Sequence, residues 1–221
     1  MKGAETGYAT SSDYYLTLST VLADSDSHAS GEADSYTTDS ALNEDHAFVI
    51  DGGDILTYST TNIIKANKGS IAFKWKAPLP YNKYTDDFYL LEVSSGTTTQ
   101  FFKLWYDASA YNFNFDFYNG SNWTTAHVTG TTQSFAYSQW LKFCVTYDIS
   151  AATTISAYID SSTAIGAYGT VWTEQSIPNT MYLGSTSGST SQSDGTFDEL
   201  RIYAVALTSA EVETLFNTTW S

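Results

Sequence analysis

The residues whose types and spacing point most directly to chemistry are Asn112, Asn114, Asp116 and Tyr118. They alternate with Tyr111, Phe113, Phe115 and Phe117, so a strand over residues 111–118 puts four aromatic rings on one face. Two amides, a carboxylate and a phenol line the other. Planar amides and carboxylates pair with sugar hydroxyls, and an aromatic ring stacks on the apolar face of a pyranose. Trp105, Tyr106 and Trp123 are close enough in sequence to extend that surface from neighbouring strands. The same pattern also describes an ordinary solvated sheet face, which needs no ligand.

Asp198 is the second candidate. Strict alternation over residues 197–203 places Asp198, Leu200 and Ile202 on one face and Glu199 and Arg201 on the other. A carboxylate on an apolar face needs a charged or hydrogen-bonded partner, and the chain's one arginine, Arg201, then points away. A bound cation or a set of backbone N–H groups would have to satisfy it. Glu199 pairs with Arg201 on the solvent side. Elsewhere the chemistry is thin. His28, His46 and His127 lack metal-ligand spacing, and no nucleophile-elbow motif occurs. Cys144 sits mid-strand as a small core hydrophobe, and Trp75 and Trp140 are expected in the core.

The elements that must position these residues are strands. Residues 71–75, 87–93, 100–107, 122–129, 140–147, 155–159, 181–184 and 197–203 carry strand patterns, and Asn119-Gly120 supplies a hairpin turn between 111–118 and 122–129. A first strand over residues 14–18 precedes a polar, acidic stretch over 23–45 with no period, expected as a long loop or arm. Thr208-Ser209-Ala210-Glu211 forms a capping box, with Leu207 and Val212 placed as a hydrophobic staple, so one short helix follows the last strand. The predicted fold is an all-β antiparallel β-sandwich with one short C-terminal helix.

Four segments carry a family resemblance. Residues 194–216, DGTFDELRIYAVALTSAEVETLF, resemble the closing segment of laminin-G-like domains of the concanavalin A-like lectin/glucanase jelly roll. Ala47 to Asp54 resembles the opening strand and its Asp-Gly turn, Lys68 to Trp75 the next core strand, and Trp140 to Asp148 with Ala157 to Asp160 the central pair. The resemblance covers residues 41–217 and implies a concanavalin A-like jelly roll: one domain over 1–221, with 1–45 a first strand and arm and 46–217 the core. It also implies a structural calcium ion where the Asp-Gly turn meets the closing strand. Carried over by position, Asp198 leads, with Asp51 and the carbonyls of Gly52 or Gly53 as companions, since calcium takes six to eight oxygens at variable geometry. Alternatively Asp51 only shapes a turn and Asp198 caps N–H groups. Glucanases of this fold carry a Glu-x-Asp-x-x-Glu run, absent here, so no enzyme is expected.

The formal charge of −15 over 221 residues disfavours nucleic acid and anionic membrane as partners, both of which need a basic footprint. No run reaches transmembrane length and no apolar leader opens the chain. Sequons at Asn119, Asn122 and Asn217 matter only on a eukaryotic secretory route. Two roles follow as expectations. One is a calcium-stabilised, non-catalytic module that binds glycan; the other is a structural or decorating protein of a virion or cell surface, partnered by a particle protein. Either works outside the cell or on a virion.

Overall fold

The computed structural model describes residues 56–60, 63–95, 100–118, 132–151, 153–168, 176–187 and 191–217. It also describes the backbone of the strands Ala23–Asp24, Tyr36–Asp39, Glu44–Ile50 and Trp123–His127. The strands in chain order are β1 (Ala23–Asp24), β2 (Tyr36–Asp39), β3 (Glu44–Ile50), β4 (Leu56–Ser59), β5 (Lys68–Lys76), β6 (Phe88–Ser94) and β7 (Gln100–Asp107). Then come β8 (Asn112–Tyr118), β9 (Trp123–His127), β10 (Trp140–Asp148), β11 (Ile155–Ile159), β12 (Gly166–Tyr168), β13 (Thr180–Leu183), β14 (Gly195–Tyr203) and the helix α1 (Ser209–Asn217). They form two antiparallel sheets, one in the order β1-β4-β13-β6-β7-β8-β9 and the other β12-β11-β10-β5-β14-β3-β2. This is the expected all-β sandwich; the strands read from alternation lie within two residues of their observed bounds, except that β5 begins at Lys68 rather than 71, and β4 and β12 add to them. The stretch over 23–45, expected as a loop or arm, instead contributes β1, β2 and the start of β3. The expected strand over 14–18 lies outside the described residues.

Period-two alternation on both sheets builds one aromatic core. Phe113, Phe115 and Phe117 of β8 face Phe73 and Trp75 of β5, Phe143 of β10 and Phe197 of β14. Trp75 is fully buried, 5.6 Å from Phe88, 5.8 Å from Phe135 and 6.2 Å from Phe113 between ring centres, and its Nε1 donates to the Asp194 carbonyl at 3.1 Å. Trp140 differs from expectation: it is only half-buried and lies under the Lys76 ammonium, 4.8 Å from the ring centre.

The other side of the second sheet is also covered. The Ser70 hydroxyl donates to the Val205 carbonyl and accepts from the Leu207 amide, which turns the chain after β14 back over the sheet. The Glu211 carboxylate accepts from the Thr208 amide at 2.7 Å while the Thr208 hydroxyl accepts from the Glu211 amide at 3.3 Å, so the capping box forms as read. Helix α1 then packs Val212, Leu215 and Phe216 with Leu207 against Ala72, Cys144, Tyr158 and Tyr203. Cys144 is a buried hydrophobe of this second cluster. Among the described residues, no helix is long and apolar enough to cross a membrane.

Candidate functional site

Strands β6, β7 and β8 lie side by side, and their registers decide which side chains meet away from the core. Glu92 pairs with Lys103 and Lys103 with Asp116; Tyr89 pairs with Trp105 and Trp105 with Asn114; Asp107 pairs with Asn112. Because Phe88, Leu91, Val93, Phe102, Leu104, Tyr106, Phe113, Phe115 and Phe117 fill the core, these polar and ring-bearing partners share the outer face. The structure therefore brings Asn112, Asn114, Asp116 and Tyr118 together on one face as the spacing indicated, with Trp105 beside them. Tyr106 is corrected to the core, fully buried, since it follows Trp105 by one residue and so faces the opposite way. Trp123 pairs with Tyr118 in register, and its side chain lies outside the described residues.

This face is far drier than a solvated sheet surface. Asp116 is 3% exposed and Asn114 7%. The Trp105 Nε1 donates to Asp116 Oδ2 at 2.7 Å, and the Lys103 ammonium lies 3.5 Å from the same oxygen. Asp116 Oδ1 is buried and accepts no hydrogen bond among the described residues. A buried carboxylate oxygen without a donor is costly. Around it the Tyr89 and Trp105 rings lie 6.2 Å apart between centres and 22° from parallel, with the Lys103 ammonium over both. Asn114 donates from Nδ2 to Asn112 Oδ1 at 3.1 Å, which fixes the amide orientations along the strand. Sequence reasoning missed Tyr89, Glu92 and Lys103. Their strands were legible, but in β6 a bulge between Tyr89 and Leu91 hides which residues face outward.

The second candidate, Asp198, sits elsewhere and in a different setting. Glu199 has φ +56°, and the β14–β5 register shifts between Asp198 and Arg201. That bulge takes up one residue, so Phe197, Leu200 and Ile202 face the core while Asp198 and Arg201 fall together on the outer side. Asp198 is opposite Lys74, and Arg201 is opposite Ala72. The expected placement of Asp198 on the core face is thereby corrected, while Arg201 lies on the other face as expected. Glu199 and Arg201 do pair, Oε2 to Nη2 at 2.7 Å, but both are largely buried rather than on a solvent face.

Lys74 is 2% exposed; burial holds its pKa below the ordinary 10.5, and the neighbouring Asp198 carboxylate pulls it back up. Lys74 thus lends the Asp198 carboxylate a positive neighbour across the strand pair. Asp51, Gly52 and Gly53, the companion ligands implied for calcium, lie outside the described residues. The strand that leads to them ends at Ile50, opposite Gly195, three residues or roughly 10 Å along the strand from Asp198. Among the described residues there is no group of three or more His, Cys, Asp or Glu able to hold a metal.

Two seven-stranded antiparallel sheets around a single aromatic core, with a polar, ring-bearing outer face on one of them, match a known architecture. The Laminin G 3 family model of the concanavalin A-like lectin/glucanases superfamily matches residues 51–213. The chain belongs to this superfamily. Among solved structures it is similar to domain 4 of AbnA, a GH43 extracellular arabinanase from Geobacillus stearothermophilus, in complex with arabinotriose. The TM-score is 0.63 at 18% identity, over 85% of this chain and 82% of that one. It is similar to the receptor binding domain of botulinum neurotoxin mosaic serotype C/D, with TM-score 0.61, 12% identity, 78% of this chain and 42% of that. It is also similar to Trypanosoma rangeli sialidase, with TM-score 0.55, 17% identity, 77% of this chain and 27% of that. The chain thus spans less than half the length of the last two. At these identities the likeness shows the fold alone. Curated protein sequences give no match.

Proposed function

We propose that this superfamily member is a non-catalytic carbohydrate-binding module working outside the cell, and that its ligand sits on the outer face of β6–β8. The observation that carries this is Asp116: a carboxylate 3% exposed, fixed through Oδ2 by Trp105 and Lys103, with a buried Oδ1 that has no donor among the described residues. A sugar hydroxyl supplies such a donor, and the Tyr89 and Trp105 rings beside it offer apolar area for the C–H face of a pyranose or furanose. The likeness to an arabinanase domain solved with arabinotriose supports the same ligand class.

A binding role rather than hydrolysis is favoured by the neighbours of Asp116. Its nearest facing carboxylate, Glu92, is two strands away with Lys103 between them, and both acids are already engaged, Glu92 by the Ser94 hydroxyl. Neither stands ready as a general acid facing a nucleophile across open space.

Binding is tested on a glycan array and by calorimetry with Asp116→Asn and Tyr118→Ala. Asparagine keeps the volume and an oxygen for Trp105 but loses the charged acceptor. A hydrogen bond to a charged group contributes about 1.5–3 kcal/mol, so affinity is expected to fall roughly tenfold to hundredfold, measured on protein whose folding is verified by melting. Glycan affinity unaltered in both variants would place the ligand on another surface.

A further inference from the structure

The charges on this face go beyond marking where a glycan binds: they determine which glycans fit. Among the described residues, Glu92, Asp107 and Asp116 stand on it against a single cation, Lys103. The Lys103 ammonium is already committed, 3.5 Å from Asp116 Oδ2 and 5.8 and 5.6 Å from the centres of the Tyr89 and Trp105 rings. An anion that drew it away would leave Asp116 buried and uncompensated. Asp107 is ionised by its own turn. Burial raises its pKa, but the Ser109 hydroxyl and the Ser109 and Ala110 amides outweigh that and hold it below 3.8.

The field reaches the aromatic pair too. The Tyr89 phenol is pushed above its ordinary 10.0, by burial first and then by the negative charges of Glu92, Asp116 and Asp87, with Lys103 close by.

We propose, building on glycan binding at this face, that the site takes uncharged saccharides and excludes those whose contacting residue carries a carboxylate or sulfate. Glu92 and Asp116 set the exclusion, and Lys103 acts as an internal counter-charge that holds Asp116 in place rather than as a receptor for anions. Two like charges at the separations typical of a bound ligand cost more than the factor of ten that defines useful discrimination, because the face is largely dry.

The test uses the full chain at neutral pH and matched probe sets: neutral oligosaccharides, arabinotriose among them, and the same scaffolds bearing sialic acid, a uronic acid or sulfate. The wild type is expected to bind neutral members, with anionic counterparts weaker by about tenfold or more. In Glu92→Gln, with folding verified by melting, the ratio of anionic to neutral affinity is expected to rise about tenfold. Anionic probes bound as tightly as neutral ones would overturn the exclusion while leaving glycan binding intact. An unmoved ratio in Glu92→Gln would also overturn it, since the charges named would not be setting it. Silence on both probe sets would instead remove glycan binding at this face and the exclusion with it.

Discussion

Replacing Lys74 with methionine keeps most of the side chain's length and removes its ammonium, and the consequence is computable from its surroundings. Lys74 and its cross-strand partner Asp198 are 2% and 3% exposed. Asp198 and Glu199 favour the charged lysine; Lys142 and Arg201 oppose it. Removing one member of a buried pair leaves the other charge uncompensated, which costs about 3–5 kcal/mol. Arg201 shares the face of Asp198 and softens that loss, so the lower end, about 3 kcal/mol, is expected. At about 2–4 °C per kcal/mol for a chain of this size, Tm falls by roughly 6–12 °C.

The double variant Lys74→Met/Asp198→Leu removes both charges. An apolar replacement of a buried pair is often neutral or stabilising, so the double variant is expected within about 1 kcal/mol of the wild type. Urea denaturation of the four proteins, run with calcium and again with a chelator, gives the coupling directly. Additive single effects would refute the Lys74–Asp198 pair. A loss in Asp198→Leu that appears only with calcium present would reinstate Asp198 as a metal ligand.

Two further outcomes follow from local geometry. Gly195 has φ +138°, and a Cβ there would lie 2.4 Å from Trp75 Nε1 and 2.7 Å from the Lys76 carbonyl; Gly195→Ala is expected to cost about 3 kcal/mol or more through strain and overpacking, read as a lower urea midpoint, and an unshifted midpoint would contradict that crowding. The Ser150 hydroxyl holds Asp148 below its ordinary 3.8, helped by the Ser150 amide. A depressed carboxylate stabilises the fold above its unfolded pKa and loses that contribution as pH falls through the folded value. The stability gap between wild type and Asp148→Ala should therefore be full near neutral pH and close below about pH 3.8, and a gap constant with pH would refute the linkage.

How far the sequence reveals these features depends on whether a strand keeps its period. Residues 112–118 alternate without interruption, so the shared face of Asn112, Asn114, Asp116 and Tyr118 could be read directly. Residues 197–203 look just as regular, yet Glu199 sits in a left-handed bulge that no glycine or asparagine announces, and it puts Asp198 on the side opposite to Leu200 and Ile202. Asp198 was therefore assigned the wrong face, and its partner Lys74, more than a hundred residues earlier, has no local signature at all. Lys74 itself, in a strand written Phe-Lys-Trp-Lys, reads as solvent-facing. Helix α1 and the segment before it, through Val205 and Leu207, cover the neighbouring strands and make that side of the sheet dry. The capping box and staple were legible because both lie within six residues, where covalent spacing settles geometry.

The placement of β14 between β3 and β5 has a consequence in time. Synthesis proceeds from the N-terminus, so β3, β5 and even β10 emerge while the strand that joins β3 to β5 has yet to be made. Until it arrives, β5 presents one unpaired edge, and Trp75 lacks the carbonyl of Asp194, 119 residues downstream. Pairings of that separation are slow to form. A nascent chain of this protein thus carries an open, aromatic-rich edge from the synthesis of β5 until β14 arrives to cover it.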